Sequence, residues 1–282
     1  MIRPSLTDVA GPPAESIRAF FLEELNSLEQ EETSSLRKGI QPTQLAYLAA
    51  GLASWDLHLT GQCSQETERA LRLMFQVQSE DGSFGNDDCW PPLESSSYQA
   101  ATVAAIAVAS APGWREHKGS SGILGASVQR LELFLQNTPP PHDYAQLLLW
   151  WAEHFWPGLQ KDHSAETMKA FVRDRQQDDG GWALRHFAAP DKWGNGNRAD
   201  KLRSEAGFEH PESDGHMTGL ICMVLRLHGI PASDPILERG LSWLQHHQRL
   251  YGRWWTRSLN TDRYHFITYS STCYALSALT LP

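Results

Sequence analysis

Two kinds of helical segment alternate along the chain, and this alternation most constrains the fold. Amphipathic segments with a charged face, such as 64–78 and 164–177, alternate with segments that are apolar on nearly every face, such as 95–110 and 214–228. The pattern recurs roughly every 45 residues, a period typical of helical arrays. Few segments show the alternating pattern of a strand. The sequence therefore predicts an all-α protein.

The apolar character of one helix in each pair distinguishes between two all-α architectures. In an open solenoid, both helices of a pair would be amphipathic. Because one helix of each pair is almost wholly apolar, we expect an inner ring of apolar helices inside a ring of amphipathic ones. This arrangement is an α/α toroid of about five to six helix pairs, formed by a single domain over 1–282. A superhelical α-solenoid is the alternative.

Composition and charge restrict the partners. The formal net charge of −9 argues against a nucleic-acid partner, whose phosphates require a basic face. The four cysteines include no C-x-x-C pair, so nothing requires an oxidising compartment. The N-terminal stretch lacks the apolar core of a signal peptide, and no run is long enough to be a transmembrane segment. These features predict a cytoplasmic protein.

A polar loop runs directly into one of the apolar helices, and this junction is the candidate site. Asp214 is a residue type that caps helices, and His216 lies just inside a buried helix, where histidine has few structural duties. We therefore expect both side chains to act in the chemistry, with a purely structural cap as the alternative for Asp214. If the inner helices are parallel, their first residues share one end of the cavity. The other candidates there are Glu94, His142, Asp143, His265 and Tyr269.

The turns between repeats carry a more specific signal, in which glutamine is followed after a short gap by glycine, one residue and an aromatic residue. The copies are Gln78 with Asp81–Phe84, Gln177 with Asp178–Trp182, and Gln248 with Tyr251–Trp255. This pattern resembles the repeat of the squalene–hopene cyclases and of the protein prenyltransferase β-subunits, over most of the chain after about residue 62. The resemblance implies a terpenoid-cyclase-like toroid, an apolar isoprenoid-like substrate and, from the second family, a partner subunit.

The chain departs from both families at the chemically important positions. It lacks the D-x-D-D acid motif of the cyclases, and its length suffices for one barrel rather than two. Where the prenyltransferase β-subunits have Asp-x-Cys, this chain has Asp214-Gly215-His216, and His265 stands near the later histidine of that family. The resemblance therefore implies a zinc-like site of Asp214, His216 and His265, in which nitrogen replaces sulfur.

Two chemistries remain open for these residues. A divalent metal, zinc first, would bind His216, His265 and Asp214 with support from Glu94, and would leave a position for water or substrate. Alternatively, a desolvated carboxylic acid would protonate an alkene or a tertiary alcohol, with His216 setting its protonation. The sequence predicts a squalene-cyclase-like lyase or isomerase that performs cyclisation, isomerisation or dehydration. The alternatives are a metal-dependent transferase or hydrolase, and a non-catalytic toroid that binds a lipid or a partner.

The substrate contacts predicted from the sequence are aromatic and cationic. Aromatic walls suit an apolar substrate and stabilise a carbocation through their π faces, whereas core packing is the alternative. The insertion at about 185–213 is longer than a connection needs and is expected to be a lid. The predicted substrate-binding residues are Trp150, Trp151, Trp254, Trp255, Arg257 and Tyr269.

Overall fold

The computed structural model describes residues 12–85, 90–94, 96–160, 164–261 and 266–281. These residues form helices and connecting turns, and the one β-bridge among them joins Gln78 to Phe84 inside a turn. The prediction of an all-α protein is confirmed. No helix in the described part of the chain is both long and apolar enough to cross a membrane.

The described residues group into two compact units. The first contains those of Met1–Asp88, Ser96–Pro139 and Phe155–Leu159. The second contains those of Cys89–Ser95, Pro140–His154 and Gln160–Pro282.

The first unit contains seven α-helices among its described residues, and a π-helical turn at Asp56–Thr60 follows the third of them. The α-helices are α1 (Pro12–Leu28), α2 (Thr33–Leu36), α3 (Gln41–Trp55), α4 (Gln65–Gln76), α5 (Ser97–Ser110), α6 (Trp114–His117) and α7 (Gly122–Asn137).

The second unit contains the remaining α-helices, apart from the last residue of α8, and short 3₁₀ segments at Leu184–Phe187 and Pro190–Gly196. The α-helices are α8 (Asp143–Phe155), α9 (Ala165–Arg173), α10 (Ala199–Arg203), α11 (Gly215–Leu227), α12 (Pro235–His246) and α13 (Phe266–Thr280).

Within each unit, the apolar helices are central and the amphipathic helices cover them. In the first unit α3 lies beside α5, and α4 packs on α3; in the second, α11 lies beside α13, and α12 packs on α11. Small residues allow the central helices to approach closely. A Cβ atom on Gly219 of α11 would lie 2.6 Å from the backbone nitrogen of Ala275 in α13. Within each unit, the apolar helices of the alternation are therefore the more deeply buried ones, as their composition predicts.

The three repeat turns share one hydrogen-bond pattern, which corrects the register expected from the sequence. The amide Nε2 of Gln78 donates to the carbonyl of Gly82 (3.1 Å), and Gln248 donates to that of Gly252 (3.0 Å). The equivalent residue in the second turn is Gln176, which donates to Gly180 (2.9 Å), rather than Gln177. The amide reaches across the turn when the glutamine precedes the glycine by four residues, and Gln177 is one residue too close.

Each of the first two turns also packs on the next amphipathic helix. Gln78 donates to the carbonyl of Ser127 in α7 (3.0 Å), and Gln176 donates to that of Ile236 in α12 (2.9 Å). The glycine is needed for two reasons: Gly180 has a φ of 93°, and a Cβ atom there would lie 2.9 Å from the carbonyl oxygen of Arg239. The aromatic residue that follows is buried, and in the second turn the Trp182 indole donates to the carbonyl of Val172 (2.7 Å).

The insertion after the second turn is folded against the second unit. Phe187, Trp193 and Leu202 have no exposed surface, so this segment contributes to the core as well as covering it. A buried ion pair between Arg185 and Glu205 (2.7 Å) joins its start to its far side.

Candidate functional site

Asp214 caps α11 and joins three segments of the second unit. Its Oδ1 accepts hydrogen bonds from the backbone of Met217 (2.9 Å) and from Thr256 Oγ1 (3.0 Å). Its Oδ2 accepts from the backbone of Leu184 (2.6 Å). The carboxylate therefore connects the second repeat turn, the start of α11 and the segment that follows the third turn.

Opposing effects act on the protonation of Asp214. Burial raises the pKa of this carboxyl, whereas the hydrogen bonds from Leu184, Met217 and Thr256 lower it, and the net direction is upward. All three neighbours donate, which suits a carboxylate and leaves little room for an acidic proton. The geometry thus gives Asp214 a positioning role, and its predicted part in catalysis stays a prediction.

His216 is fully buried, and both of its ring nitrogens are hydrogen-bonded. Nδ1 lies 2.8 Å from Ser270 Oγ, and Nε2 lies 3.0 Å from the hydroxyl of Tyr144. Ser270 donates its one hydroxyl hydrogen to the carbonyl of Ile267 (2.9 Å), so we assign the imidazole proton to Nδ1 and the acceptor role to Nε2. Burial lowers the pKa of His216 to about 3, so the ring is neutral at pH 7.

Aromatic rings surround this imidazole. The Tyr144 ring lies 5.8 Å from that of His216, and the Tyr274 ring meets it edge-on at 5.1 Å, centroid to centroid. On the other side of Tyr144 lies Trp193 of the insertion, at 5.4 Å, and His142 lies 5.3 Å from Trp193. Trp193 of the insertion thus packs at the start of α8 and completes a closely packed group of aromatic rings, the aromatic compartment, around the Tyr144–His216 pair.

Two buried donors in this compartment have no hydrogen-bond partner among the described residues. His142 Nδ1 accepts from the backbone of Ala145 (3.1 Å), so its hydrogen is on Nε2, and that nitrogen is buried and unpartnered. The indole nitrogen of Trp193 is likewise buried and has no hydrogen-bond partner among the described residues. An unpaired buried donor costs about 1–3 kcal/mol, so an unpaired N–H in a native site points to an acceptor that binds there. Burial also lowers the pKa of His142 to about 4.

A second concave feature lies on the outer side of Asp214. It is a cavity of about 320 Å³ with Asp214, Trp255 and Arg257 among its lining residues. The buried Arg185–Glu205 pair forms part of its wall. Burial raises the pKa of Glu205, but the hydrogen bonds from Arg185 and Lys201 outweigh this effect, and the pKa lies below its usual value.

The predicted tryptophans occupy different environments. Trp254 is fully buried against Gly215, where it acts as core packing, whereas Trp255 lines the outer cavity together with Arg257. Trp150 packs edge-on against Phe171, and Trp151 packs edge-on against Tyr274, whose ring contacts His216. Trp151 is therefore the predicted tryptophan nearest to the aromatic compartment.

The remaining predicted residues are not gathered around His216 by the contacts of the described chain. Tyr269 is 66 % exposed and lies on the surface of α13. Glu94 is buried in the second unit, with its backbone nitrogen bonded to the carbonyl of Trp90 (3.1 Å). Asp143 pairs with Arg175 (2.5 Å). His265 lies outside the described residues.

The predicted zinc-like site does not fit the described side chains. No group of three or more histidine, cysteine, aspartate or glutamate side chains converges within the part of the chain that the structure describes. A metal on His216 would have to displace Tyr144 or Ser270, and both oxygens of Asp214 already accept hydrogen bonds. Because His265 is not described, the metal site stays a prediction.

Sequence reasoning missed Tyr144, Ser270, Thr256 and Trp193, which complete the surroundings of Asp214 and His216. Tyr144 lies two residues after His142 at the start of an apolar helix, where the sequence already predicts His142 and Asp143 as candidate site residues. Trp193 carries no such signal, because a tryptophan in a glycine-rich insertion is equally typical of a surface loop. Comparison of the chain with protein-family models and with curated proteins gives no match in either case.

Proposed function

We propose that this protein is an isomerase that transfers a proton within an apolar, isoprenoid-like molecule bearing one oxygen atom. The observation that carries the proposal is the buried relay of Tyr144, His216 and Ser270, which lies beside the two unpartnered donors of His142 and Trp193. A neutral imidazole with an oriented hydroxyl is a proton carrier, and unpaired donors in a dry site stabilise negative charge on oxygen.

The relay suits removal of a proton from a carbon next to a carbonyl group. The Tyr144 oxygen accepts this proton while its own hydroxyl proton passes to His216 Nε2. The substrate oxygen gains the negative charge and accepts hydrogen bonds from Trp193 Nε1 and His142 Nε2. The imidazolium then returns the proton through Tyr144 to another carbon. The double bond has then moved, and no atom is gained or lost.

The compartment also defines the class of substrate. Its walls are the rings of Tyr144, Tyr274 and Trp193, which favour an apolar body, and its unpaired groups are donors, which favour one acceptor oxygen. Because these residues are buried, substrate entry requires the insertion to move. Dehydration of a tertiary alcohol and cyclisation begin instead with donation of a proton to the substrate, and they are the alternatives to this isomerisation.

The resemblance to the squalene–hopene cyclases and the protein prenyltransferase β-subunits belongs to the same proposal, as does the α/α toroid. Its support is the shared geometry of the three repeat turns, Gln78–Phe84, Gln176–Trp182 and Gln248–Trp254. The buried apolar helices inside amphipathic ones support it as well. A fold serves several chemistries, so the reaction is argued from the relay alone.

The test is an exchange experiment in D₂O with a panel of isoprenoid aldehydes and ketones. We expect the double bond to migrate, as measured by NMR and mass spectrometry, and deuterium to enter the substrate to the extent that the Tyr144 hydroxyl exchanges with solvent before the proton is returned. Tyr144→Phe removes the proton carrier and should slow the exchange by about 10²–10⁴-fold. Trp193→Phe removes one oxyanion donor and should slow it by about 10²–10³-fold.

The matched control is Tyr98→Phe, which removes a buried and unpartnered tyrosine hydroxyl in the first unit. This variant should keep the wild-type rate. Exchange that survives in a folded Tyr144→Phe protein would refute the relay. Tight binding of the panel without any exchange would instead assign a non-catalytic lipid-binding role.

Elemental analysis of untagged protein tests the alternative metal site. One equivalent of zinc that is lost in His216→Ala would favour the metal-dependent transferase or hydrolase.

A further inference from the structure

The third repeat turn, 248–254, lacks a contact that its two counterparts make. Gln78 and Gln176 each donate to a carbonyl of the amphipathic helix that packs on their turn. The only described acceptor of the Gln248 amide is the carbonyl of Gly252, inside the same turn. A Cβ atom on Gly252 would meet nothing closer than that amide, at 3.7 Å, whereas Gly180 lies directly on a helix backbone. The third turn is shaped to pack on a helix, and no helix of the described residues lies on it as α7 and α12 lie on the first two.

Helix α13, which follows this turn, is uncovered in the same way. The corresponding helix α11 is buried at every position over 215–225, because α12 packs on its outer side. On α13, by contrast, Tyr269, Cys273 and Leu276 are exposed. They recur at spacings of four and three residues and therefore form one stripe along the helix. One amphipathic helix laid along this stripe would supply both missing contacts.

We call this surface the end face; it consists of Arg249, Leu250, Tyr251, Arg253, Trp255, Tyr269 and Leu276. Two of its aromatic rings make cation–π contacts with arginines. The Arg249 guanidinium lies 5.2 Å from the centroid of the Trp255 ring, and that of Arg253 lies 5.9 Å from the centroid of the Tyr269 ring. The end face is therefore apolar and basic in a chain whose net charge is −9. Two end faces would repel each other, so the complementary occupant is an acidic amphipathic helix.

The chain itself contains a helix of this description. In α1, Ile17 and Phe20 are 57 % and 56 % exposed, although the neighbouring Phe21 packs against Gly51 of α3. Glu23 is exposed next to Phe20 on the helix surface, three residues further along, whereas Glu15 is exposed on the opposite side of α1 from Ile17. With 17 residues, α1 is about as long as the 15-residue α13. Among the described residues, α1 therefore carries exposed apolar side chains with a carboxylate beside them.

We propose that the end face of one copy of this protein binds α1 of a second copy. Ile17 and Phe20 would cover the stripe on α13 and the tip of the third turn, and Glu23 would lie near Arg249 or Arg253. The contact joins two different surfaces, so it closes into a dimer if it is reciprocal and otherwise extends into a chain of copies. The inference does not depend on the proposed reaction.

Charge reversal tests this inference. One variant carries Glu23→Lys, and a second carries Arg249→Glu and Arg253→Glu. We expect the wild-type protein to sediment as an associated species that dissociates at high salt. Each variant alone should sediment as a monomer, because like charges then face each other. An equimolar mixture of the two should associate again, because both contacts between unlike copies become complementary.

The control variant carries Lys118→Glu and Arg173→Glu, which produce the same change of net charge as the arginine variant at exposed residues that belong to neither α1 nor the end face. It should associate like the wild type. Circular dichroism melting of every variant establishes that it is folded. A wild-type protein that is monomeric up to its solubility limit overturns the proposal. Association that persists in both charge-reversed variants, or a mixture that fails to reassociate, overturns it as well.

Discussion

His216 and Asp214 are two residues apart, yet their side chains face different surroundings. Asp214 receives three donors that belong to the backbone and to a threonine, so it holds segments together. His216 donates from Nδ1 to the Ser270 hydroxyl and accepts at Nε2 from the Tyr144 hydroxyl, so Nε2 is the nitrogen that is able to take up a proton. We therefore assign proton transfer to His216 and a structural role to Asp214.

The depressed pKa of His216 predicts how stability depends on pH. The unfolded histidine binds a proton near pH 6.5 and the folded one near pH 3, so the unfolded state binds more protons between these values. Stability should therefore be fully present above pH 6.5 and fall as the pH falls. The slope from this residue is about 1.4 kcal/mol per pH unit.

Urea unfolding of the wild type and of His216→Gln at a series of pH values measures this slope. The difference between the two proteins isolates the imidazole, because Asp214 and His142 are present in both. The wild-type advantage should shrink from pH 6.5 downward. A difference that stays constant between pH 7 and pH 4.5 would show that His216 is solvated.

At the scale of elements, the repeat turn is the unit that joins one helix pair to the next. Its glutamine bonds within the turn and to the following amphipathic helix, its glycine allows close approach, and its aromatic residue fills the space between helices. In the third turn the aromatic residue keeps its role, since the Trp254 indole donates to the carbonyl of Leu244 (2.8 Å). Among the described residues, the Gln248 amide bonds only within its own turn and lacks the bond to a following helix that Gln176 makes.

This difference predicts unequal effects of one substitution in three turns. Gln78→Ala and Gln176→Ala each leave buried carbonyls without a donor and should lower the free energy of unfolding by about 1–3 kcal/mol. Gln248→Ala removes one exposed bond and should change it by less than about 0.5 kcal/mol. Denaturant titrations give the three values. Equal losses at Gln176 and Gln248 would contradict the difference in packing between the second and third turns.

At the scale of the whole molecule, the insertion is the segment that helps to bury the side chains around His216. It places Trp193 over Tyr144, and the ion pair of Arg185 with Glu205 holds it in position. Arg185 also donates to the backbone carbonyls of Arg257 and Ser258 (both 3.2 Å), beyond the third turn. Closure of the compartment therefore depends on a residue far from the imidazole.

Removal of this ion pair should open the insertion. Arg185→Met leaves the buried Glu205 carboxylate without its arginine partner. The free energy of unfolding should fall by about 3–5 kcal/mol. Limited proteolysis should then cut within 185–213 under conditions in which the wild type is intact. Arg203→Met, which removes an exposed arginine 3.6 Å from Asp191, is the control and should leave the insertion resistant. Equal resistance of all three proteins would mean that apolar burial alone holds the segment.

The sequence by itself determined the all-α class, the alternation of buried and amphipathic helices, the repeat turns and the pairing of Asp214 with His216 at a helix start. These features are local: they depend on periodicity, caps and turn residues a few positions apart. The tertiary structure decided which glutamine belongs to the second turn and that Asp214 is saturated by donors. It also placed Tyr144 and Ser270, 72 and 54 residues away along the chain, on the two nitrogens of His216. Such contacts depend on how helices pack, and no local pattern in the chain encodes them.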